Sequence, residues 1–342
     1  MSKVATTNAA VSVTPIKKIS QYVKDISTIN VDKNDIRFTI QTYYQIQTYR
    51  ISLASQIRSI NQSEVEDVQQ HQLLDWLFSN MVQLEDEIKK AIAAYVHNDP
   101  VGQWLEQVIG IGPVLAGGLL CYFDVHKAPS VSHFYSYAGL NDNNVQWLGK
   151  EQATKLVNKY VSTEITDSDL MNLAQATKRH FSSLVRMCDD NGKRNKTKLI
   201  KELSKPPYNK ELKMLCWKIG ESFVKVSGKE ESLYGRLYRE RKALEEVKNE
   251  QLAYKDQAQD KLENNNIGKT TEAYKHYSAG KLPPSHIASR AKRYAVKIFI
   301  SHLYDEMYRQ EFKKEPARAY VFEHLGHVDV IPPEVPSMAN LK

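Results

Sequence analysis

The amino-acid sequence predicts an all-α protein, and two observations carry that prediction. The first is a shortage of helix breakers: the 342 residues include only 14 Gly and 12 Pro, both below the average usage of about 7% and 5%. The second is that apolar residues recur at spacings of three and four along several long stretches, which is the period of a helix face. Lys, Glu, Gln, Leu and Ala, which favour helices, are abundant. We therefore expect helices joined by loops throughout the chain.

Two long helices are expected to form an antiparallel, coiled-coil-like hairpin in the first third of the chain. Residues 33–60 carry apolar side chains with few breakers, and a second helix is expected to run to about Val96. Ser63 and Glu66 have the spacing of a capping box, in which two side chains bond the backbone at a helix start. Asp99-Pro100 is expected to end the hairpin, because the residue before a proline disfavours helical backbone.

The stretch Val108-Ile109-Gly110-Ile111-Gly112-Pro113-Val114 predicts a tight turn between two helices. Gly110 and Gly112 are expected to let the backbone turn sharply with no Cβ in the way. Pro113 fits a first helical position, where its missing N–H group costs nothing.

The expected product of this turn is a helix N-terminus that presents bare N–H groups. Such a terminus binds phosphate well. The pattern is typical of a helix-hairpin-helix, which holds a nucleic-acid backbone without reading its bases. We expect the N–H groups of Gly110, Gly112 and Val114 to contact a phosphate, with Ile111 and Pro113 completing the turn. A tight turn inside a helical bundle is the alternative interpretation.

Composition and periodicity divide the chain into five segments. A small, polar start is expected to be disordered, and four prolines near the end predict an extended tail. The expected segments are a disordered start at 1–15, a helical hairpin or coiled coil at 16–100, a helix-hairpin-helix domain at 101–230, C-terminal helices at 231–314 and an extended tail at 315–342.

Within the later segments, further helices and one basic loop are expected. Residues 151–188 should hold two helices and residues 285–313 one. Between them we expect a polar, basic loop from Asp189 to Lys198, a helix around Leu212–Val226 and a long charged helix from about Ser232.

Two clusters of basic residues are candidate phosphate contacts. The chain carries 47 Lys+Arg against 40 Asp+Glu, a formal net charge of +7, which is compatible with a nucleic-acid partner. Contacts to phosphate add salt-dependent affinity without sequence reading, whereas a solvated surface is the alternative for both clusters. The candidates are Lys193, Arg194, Lys196 and Lys198 in the basic loop, and Arg290, Arg293 and Lys297 on one helix face.

Four segments in a fixed order resemble a known family. They are "VIGIGPVLAGGLL", "FYSYAGLN", "YNKELKMLCWKIGESFVK" and "YGRLYRERKA". Together, over roughly residues 70–310, they resemble the C-terminal domain of the serine-dependent, bridge-RNA-guided insertion-sequence transposases. The resemblance implies DNA transposition and recombination, self-association through the helical hairpin, a RuvC-like nuclease domain with four acidic metal ligands, and a nucleophilic Ser-Gly pair after Ala138-Gly139-Leu140.

The sequence departs from that family at both catalytic elements. Residues 1–100 do not have the strand-rich acidic pattern of the nuclease domain, and Leu148-Gly149 stands where the family has Ser-Gly. We therefore expect a DNA-binding protein that does not cut DNA by itself. One alternative is an active serine transposase that uses another serine, such as Ser130, Ser132 or Ser136, or a nuclease partner. The other is an RNA-binding or assembly protein.

Other functional classes lack support in the sequence. No catalytic residue, metal ligand set or cofactor is assigned. His324 and His327 are two potential zinc ligands, but a structural site needs four. The three cysteines are far apart, as in reduced intracellular proteins. No apolar run reaches the ~18 residues of a membrane span. We expect a cytoplasmic protein whose partners are DNA, or structured RNA in the alternative, and a second copy of itself.

Overall fold

The computed structural model describes residues 32–62, 72–141, 147–162, 164–317 and 330–339. These described residues are 72% helical, with 14 α-helices and one minor two-stranded sheet among them, which confirms the all-α class. The first seven helices are α1 (Lys33–Gln62), α2 (Gln72–His97), α3 (Pro100–Gln107), α4 (Pro113–Tyr122), α5 (Val131–Tyr137), α6 (Gly149–Tyr160) and α7 (Asp167–Thr177). The others are α8 (Phe181–Cys188), α9 (Lys196–Ser204), α10 (Lys210–Lys225), α11 (Leu233–Glu250), α12 (Lys255–Asn264), α13 (Glu272–Ser278) and α14 (Pro284–Phe312).

Helices α1 and α2 form the expected hairpin, and both also pack on α4. Ile36, Ile40, Ile92 and Val96 are buried at that contact. The proposed capping box at 63–66 and the expected disordered start at 1–15 lie outside the described residues. Asp99 ends the hairpin as expected, and its carboxylate accepts the first backbone N–H groups of α3.

The largest core is built around α14, which contacts α3, α5, α10 and α11. Its centre is aromatic: the Phe299 ring lies 6.5 Å from Trp104, 5.5 Å from Phe223 and 5.2 Å from Tyr234, centroid to centroid. Because this core also includes α1, α2 and α4, it crosses the segment boundaries expected at residues 100 and 230.

A second, separate core joins α6, α7, α8 and α9. The expectation of two helices in residues 151–188 is wrong, since three are formed. The second of the two breaks follows the left-handed Lys178 (φ 52°), which caps α7. The expected basic loop after Cys188 is also wrong in part: β1 (Asp189–Asp190) and β2 (Lys193–Arg194) pair as a short antiparallel hairpin, and α9 begins directly after it.

The C-terminal part of the chain differs from expectation at one helix. The long charged helix starting near Ser232 stops at Glu250, and Leu252 (φ 58°) turns the chain into α12. Residues 330–339 are extended, as expected for the tail. This segment crosses the main core, where the Trp104 indole donates to the Val335 carbonyl at 3.0 Å.

Candidate nucleic-acid interface

The predicted helical turn lies between α3 and α4, and Gly110 is the residue that makes it possible. Its φ of +99° is strained for any residue with a Cβ. A Cβ there would also lie 3.3 Å from Val226 and 3.4 Å from the Ser222 hydroxyl oxygen. That hydroxyl donates to the Gly110 carbonyl at 2.5 Å, so α10 holds the turn in place.

Gly112 plays a different part from the one expected. Its φ of −91° and ψ of 171° are available to every residue, so the expectation that the turn needs a glycine here is wrong. A Cβ at Gly112 would meet no atom within 4 Å. The space beside Gly112 is therefore open to a ligand.

Several backbone N–H groups at this turn have no acceptor among the described residues. They belong to Gly110, Gly112, Val114 and Leu115, and no side chain caps α4. Ile111 differs, because its N–H group donates to the Val108 carbonyl at 3.0 Å and its side chain is buried. The helix dipole of α4 adds partial positive charge at the same end. The arrangement can accept an anion.

The turn forms one wall of an open surface groove, which we call the hairpin groove. Its other walls come from α1, α2 and α10. The groove is lined by Tyr43, Tyr44, Gln47, Lys89, Gly110, Gly112, Pro113, Val114, Leu115, Trp217, Lys218, Glu221, Ser222 and Lys225. Three lysines, one on α2 and two on α10, thus line the same groove as the unbonded N–H groups.

Lys218 is the most informative of these lysines. Burial lowers its pKa, and the positive charge of Lys225 lowers that pKa further. Its ammonium lies 4.0 Å from the centre of the Tyr44 ring, and among the described residues no carboxylate pairs with it. Of the described residues that line the groove, Glu221 is the one carboxylate, and it is paired with Lys292. A partly desolvated ammonium of this kind is stabilised by a bound anion.

Sequence reasoning missed most of this groove. Lys89 and Lys225 are exposed, and Lys218 is half-buried. The signal available was the spacing of Trp217, Lys218 and Lys225 on one predicted helix. The contribution of α1 and α2 had no local signal, because it depends on how distant helices pack.

The structure places the basic cluster at 193–198 on the edge of the second core. Arg194 pairs with Asp167 and donates to the Ile165 carbonyl at 3.0 Å. Lys196 donates to the Val161 carbonyl at 2.7 Å, and Lys198 donates to the Asp189 carbonyl. Lys193 is exposed. Three of the four cations therefore hold local structure.

The three basic residues of α14 that were predicted to contact phosphate have different surroundings. Arg290 donates to Glu245 at 2.7 Å and lies over the Tyr254 ring at 4.4 Å. Lys297 donates to Asn141 at 3.2 Å. Arg293 is exposed and lines a different cavity, beside Trp217. The predicted row of phosphate contacts does not form one free cationic face.

The Ala138-Gly139-Leu140 element ends α5. Gly139 has a φ of +65°, and the Leu140 N–H group donates to the Tyr135 carbonyl at 2.9 Å, which is a Schellman-type stop. A Cβ on Gly139 would lie 2.9 Å from the Tyr208 ring. This glycine is needed for the helix end and for the close approach of that ring.

The residues considered as catalytic candidates lie around α5 and at the start of α6. Leu148 precedes α6 and packs against the second core. Of the nearby serines, Ser130 lies 3.1 Å from the His133 ring nitrogen Nδ1, and Ser136 accepts from Asn141 at 3.5 Å. Within the described residues, no three His, Cys, Asp or Glu side chains are placed to share a metal ion.

Comparisons with known proteins add no relative: no protein family model, curated protein or solved structure matches this chain. In the described part of the chain, every helix is too short or too polar to span a bilayer. The function must therefore be argued from the geometry of the chain itself.

Proposed function

We propose that the protein binds DNA by gripping the phosphate backbone in the hairpin groove, in a role related to transposition or recombination. The observation that carries the proposal is the half-buried Lys218 ammonium, which lacks a carboxylate partner among the described residues and lines the same groove as the unbonded N–H groups of α4. Bare N–H groups at a helix start together with lysines suit a phosphate.

The geometry of the groove supports a binding mode that does not depend on the DNA sequence. Main-chain N–H groups and lysines reach phosphate oxygens, which carry no base identity. Tyr43 and Tyr44 add broad side chains beside Lys218. We propose that these groups hold one strand of a duplex from its backbone side.

The decisive experiment replaces Gly112 by Val and compares it with Gly228→Val. Both glycines are exposed, and neither Cβ would meet an atom within 4 Å, so both variants should fold. Hydrogen bonds to charged groups contribute about 1.5–3 kcal/mol each. Blocking the N–H groups at Gly112 should weaken duplex binding by roughly 10- to 150-fold, whereas Gly228→Val should bind normally.

The result that contradicts the proposal is a folded Gly112→Val protein that binds duplex DNA at full strength. The same titrations with structured RNA separate the alternative partner. A clear preference for RNA, lost in Gly112→Val, would keep the groove but change its ligand.

A second candidate function is strand cleavage, and one contact favours keeping it. The Ser130 hydroxyl lies within hydrogen-bond distance of the His133 imidazole, as a serine activated by a general base would. The test is plasmid nicking with Mg²⁺ by the protein and by Ser130→Ala. Nicking by the parent protein that Ser130→Ala abolishes would establish an enzyme. If the parent protein does not nick the plasmid, strand cleavage is excluded and DNA binding remains the proposed function.

Self-association through the helical hairpin is a further part of the proposal. Exposed apolar side chains lie along α1 and α2, among them Phe38 (65%), Tyr49 (66%) and Trp76 (46%). Contiguous exposed apolar surface is typical of protein contacts. Sedimentation should show a dimer or larger species that Phe38→Glu with Tyr49→Glu converts to monomer, and a monomeric parent protein would exclude it.

A further inference from the structure

A cavity of about 340 Å³ lies beside the hairpin groove, between the end of α5, helix α10 and helix α14. We call it the aromatic cavity. Its size is at the lower end of the range for small-ligand sites, about 300–1,000 Å³. It has room for one nucleotide and not for a duplex.

Each of the three aromatic rings that line this cavity has a lysine over its face. Lys210 lies 5.2 Å from the centre of the Trp147 ring, Lys213 lies 4.0 Å from that of Tyr208, and Lys292 lies 5.9 Å from that of Trp217. Both indoles are half-exposed, at 50% for Trp147 and 59% for Trp217. Large aromatic faces left open to solvent are available for stacking.

The lining selects a ligand that is both flat and anionic. An apolar ligand would leave the ammonium groups without a counter-charge, and a bare phosphate would leave the indoles uncovered. Within the described residues Lys210 and Lys213 form no ion pair, whereas Lys292 is paired with Glu221. Stacking rings interleaved with cations are the pattern of single-stranded nucleic-acid sites.

We propose that the aromatic cavity accepts an unpaired base of the DNA strand held in the hairpin groove. Trp217 lines both the cavity and the groove, so a strand leaving the groove passes directly beside the cavity. This adjacency favours a base of a bound strand over a free nucleotide. The inference rests on the proposed function and adds to it a preference for DNA with an unpaired base.

The experiment compares a paired duplex with the same duplex carrying one bulged thymine. Stacking on an aromatic side chain changes the affinity per base by roughly 5- to 150-fold on alanine substitution. The parent protein should bind the bulged duplex more tightly, and Trp147→Ala should lose that gain. Lys213→Gln, at an exposed position, removes a positive charge and leaves every aromatic ring in place, and it should weaken the gain in affinity for the bulged duplex. Met171→Ala, which removes an exposed apolar side chain from α7, is the control and should retain it.

The outcomes separate this inference from the proposed function. Equal binding of both duplexes by the parent protein, or an undiminished bulge preference in Trp147→Ala, overturns the inference. Competition by thymidine monophosphate at the concentration of the bulged DNA would assign the cavity to free nucleotides and also overturn it. If no duplex binds, the proposed function fails. Quenching of tryptophan fluorescence by an oligothymidylate, weakened in Lys213→Gln, which keeps all four tryptophans, would then still establish the cavity as a base site.

Discussion

Replacing Lys218 and Lys225 by Gln should halve the salt dependence of DNA binding. Each phosphate neutralised on B-DNA contributes about −0.9 to the slope of log affinity against log salt. Three groove lysines, with Lys89 as the third, and one phosphate held by the N–H groups of α4 make about four contacts. The parent slope should therefore be near −3.6, and that of the double variant near −1.8.

The two slopes predict very different losses of DNA affinity over an ordinary range of salt concentration. A fourfold rise in salt, for example from about 50 to 200 mM, should weaken the parent protein about 150-fold and the double variant only about 12-fold. Fluorescence anisotropy with a labelled duplex measures both slopes. Because Lys218 is partly desolvated and without a carboxylate partner among the described residues, its loss should leave the free energy of unfolding unchanged or raise it.

A matched control removes the same two charges elsewhere. Lys201→Gln with Lys269→Gln changes exposed lysines away from the groove, so its slope should remain near the parent value. If both double variants shift the slope equally, the binding follows net charge and the groove has no special role. A slope unchanged in Lys218→Gln with Lys225→Gln would refute the placement of phosphates in the groove.

Four further predictions concern stability. Gly110→Ala should lower the free energy of unfolding by about 1–3 kcal/mol, because Gly110 has a φ of +99°, and thermal melts beside Gly228→Ala measure this. Glu245→Leu should cost about 3 kcal/mol in urea unfolding, because the buried carboxylate accepts from Arg290 and Arg241. Burial lowers the pKa of His302 to about 4, so stability should fall as the pH falls from 6.5 towards 4, by about 2 kcal/mol between pH 7 and pH 5. Burial raises the pKa of Asp305 to about 6, which stabilises the fold as the pH falls from 6 towards 3.8, so Asp305→Asn should steepen the acid loss by about 1 kcal/mol.

Much of the fold was predictable, because its signals are local. The period of apolar residues located α1 and α14 within one or two residues of their bounds, and Asp99-Pro100 located the end of the hairpin. The errors arose where a short local conformation decides the outcome. The left-handed Lys178 and Leu252 each end a helix at a residue with no breaker character, so composition gave no warning.

Of the candidate site, only the backbone turn between α3 and α4 could be predicted from the sequence. Gly110 and the start of α4 could be identified from the sequence, because glycine permits a sharp turn and Pro113 is suited to a first helical position. The walls of the groove could not. Tyr44 on α1 and Lys218 on α10 are brought within 4.0 Å by packing, and periodicity does not say which distant helices meet.

The ion pairs in the structure show why a high density of basic residues in the sequence is a poor guide to where an anion binds. Arg194 pairs with Asp167 of α7, and Lys198 donates to the Asp189 carbonyl of its own segment, so folding itself satisfies both cations. Lys218 lies between Trp217 and the buried Ile219, and the acidic residue three positions on, Glu221, is already paired with Lys292. An ammonium in such a place gains less from its own chain and therefore more from a ligand. We therefore expect the groove lysines of α10, and not the basic clusters, to contact phosphate.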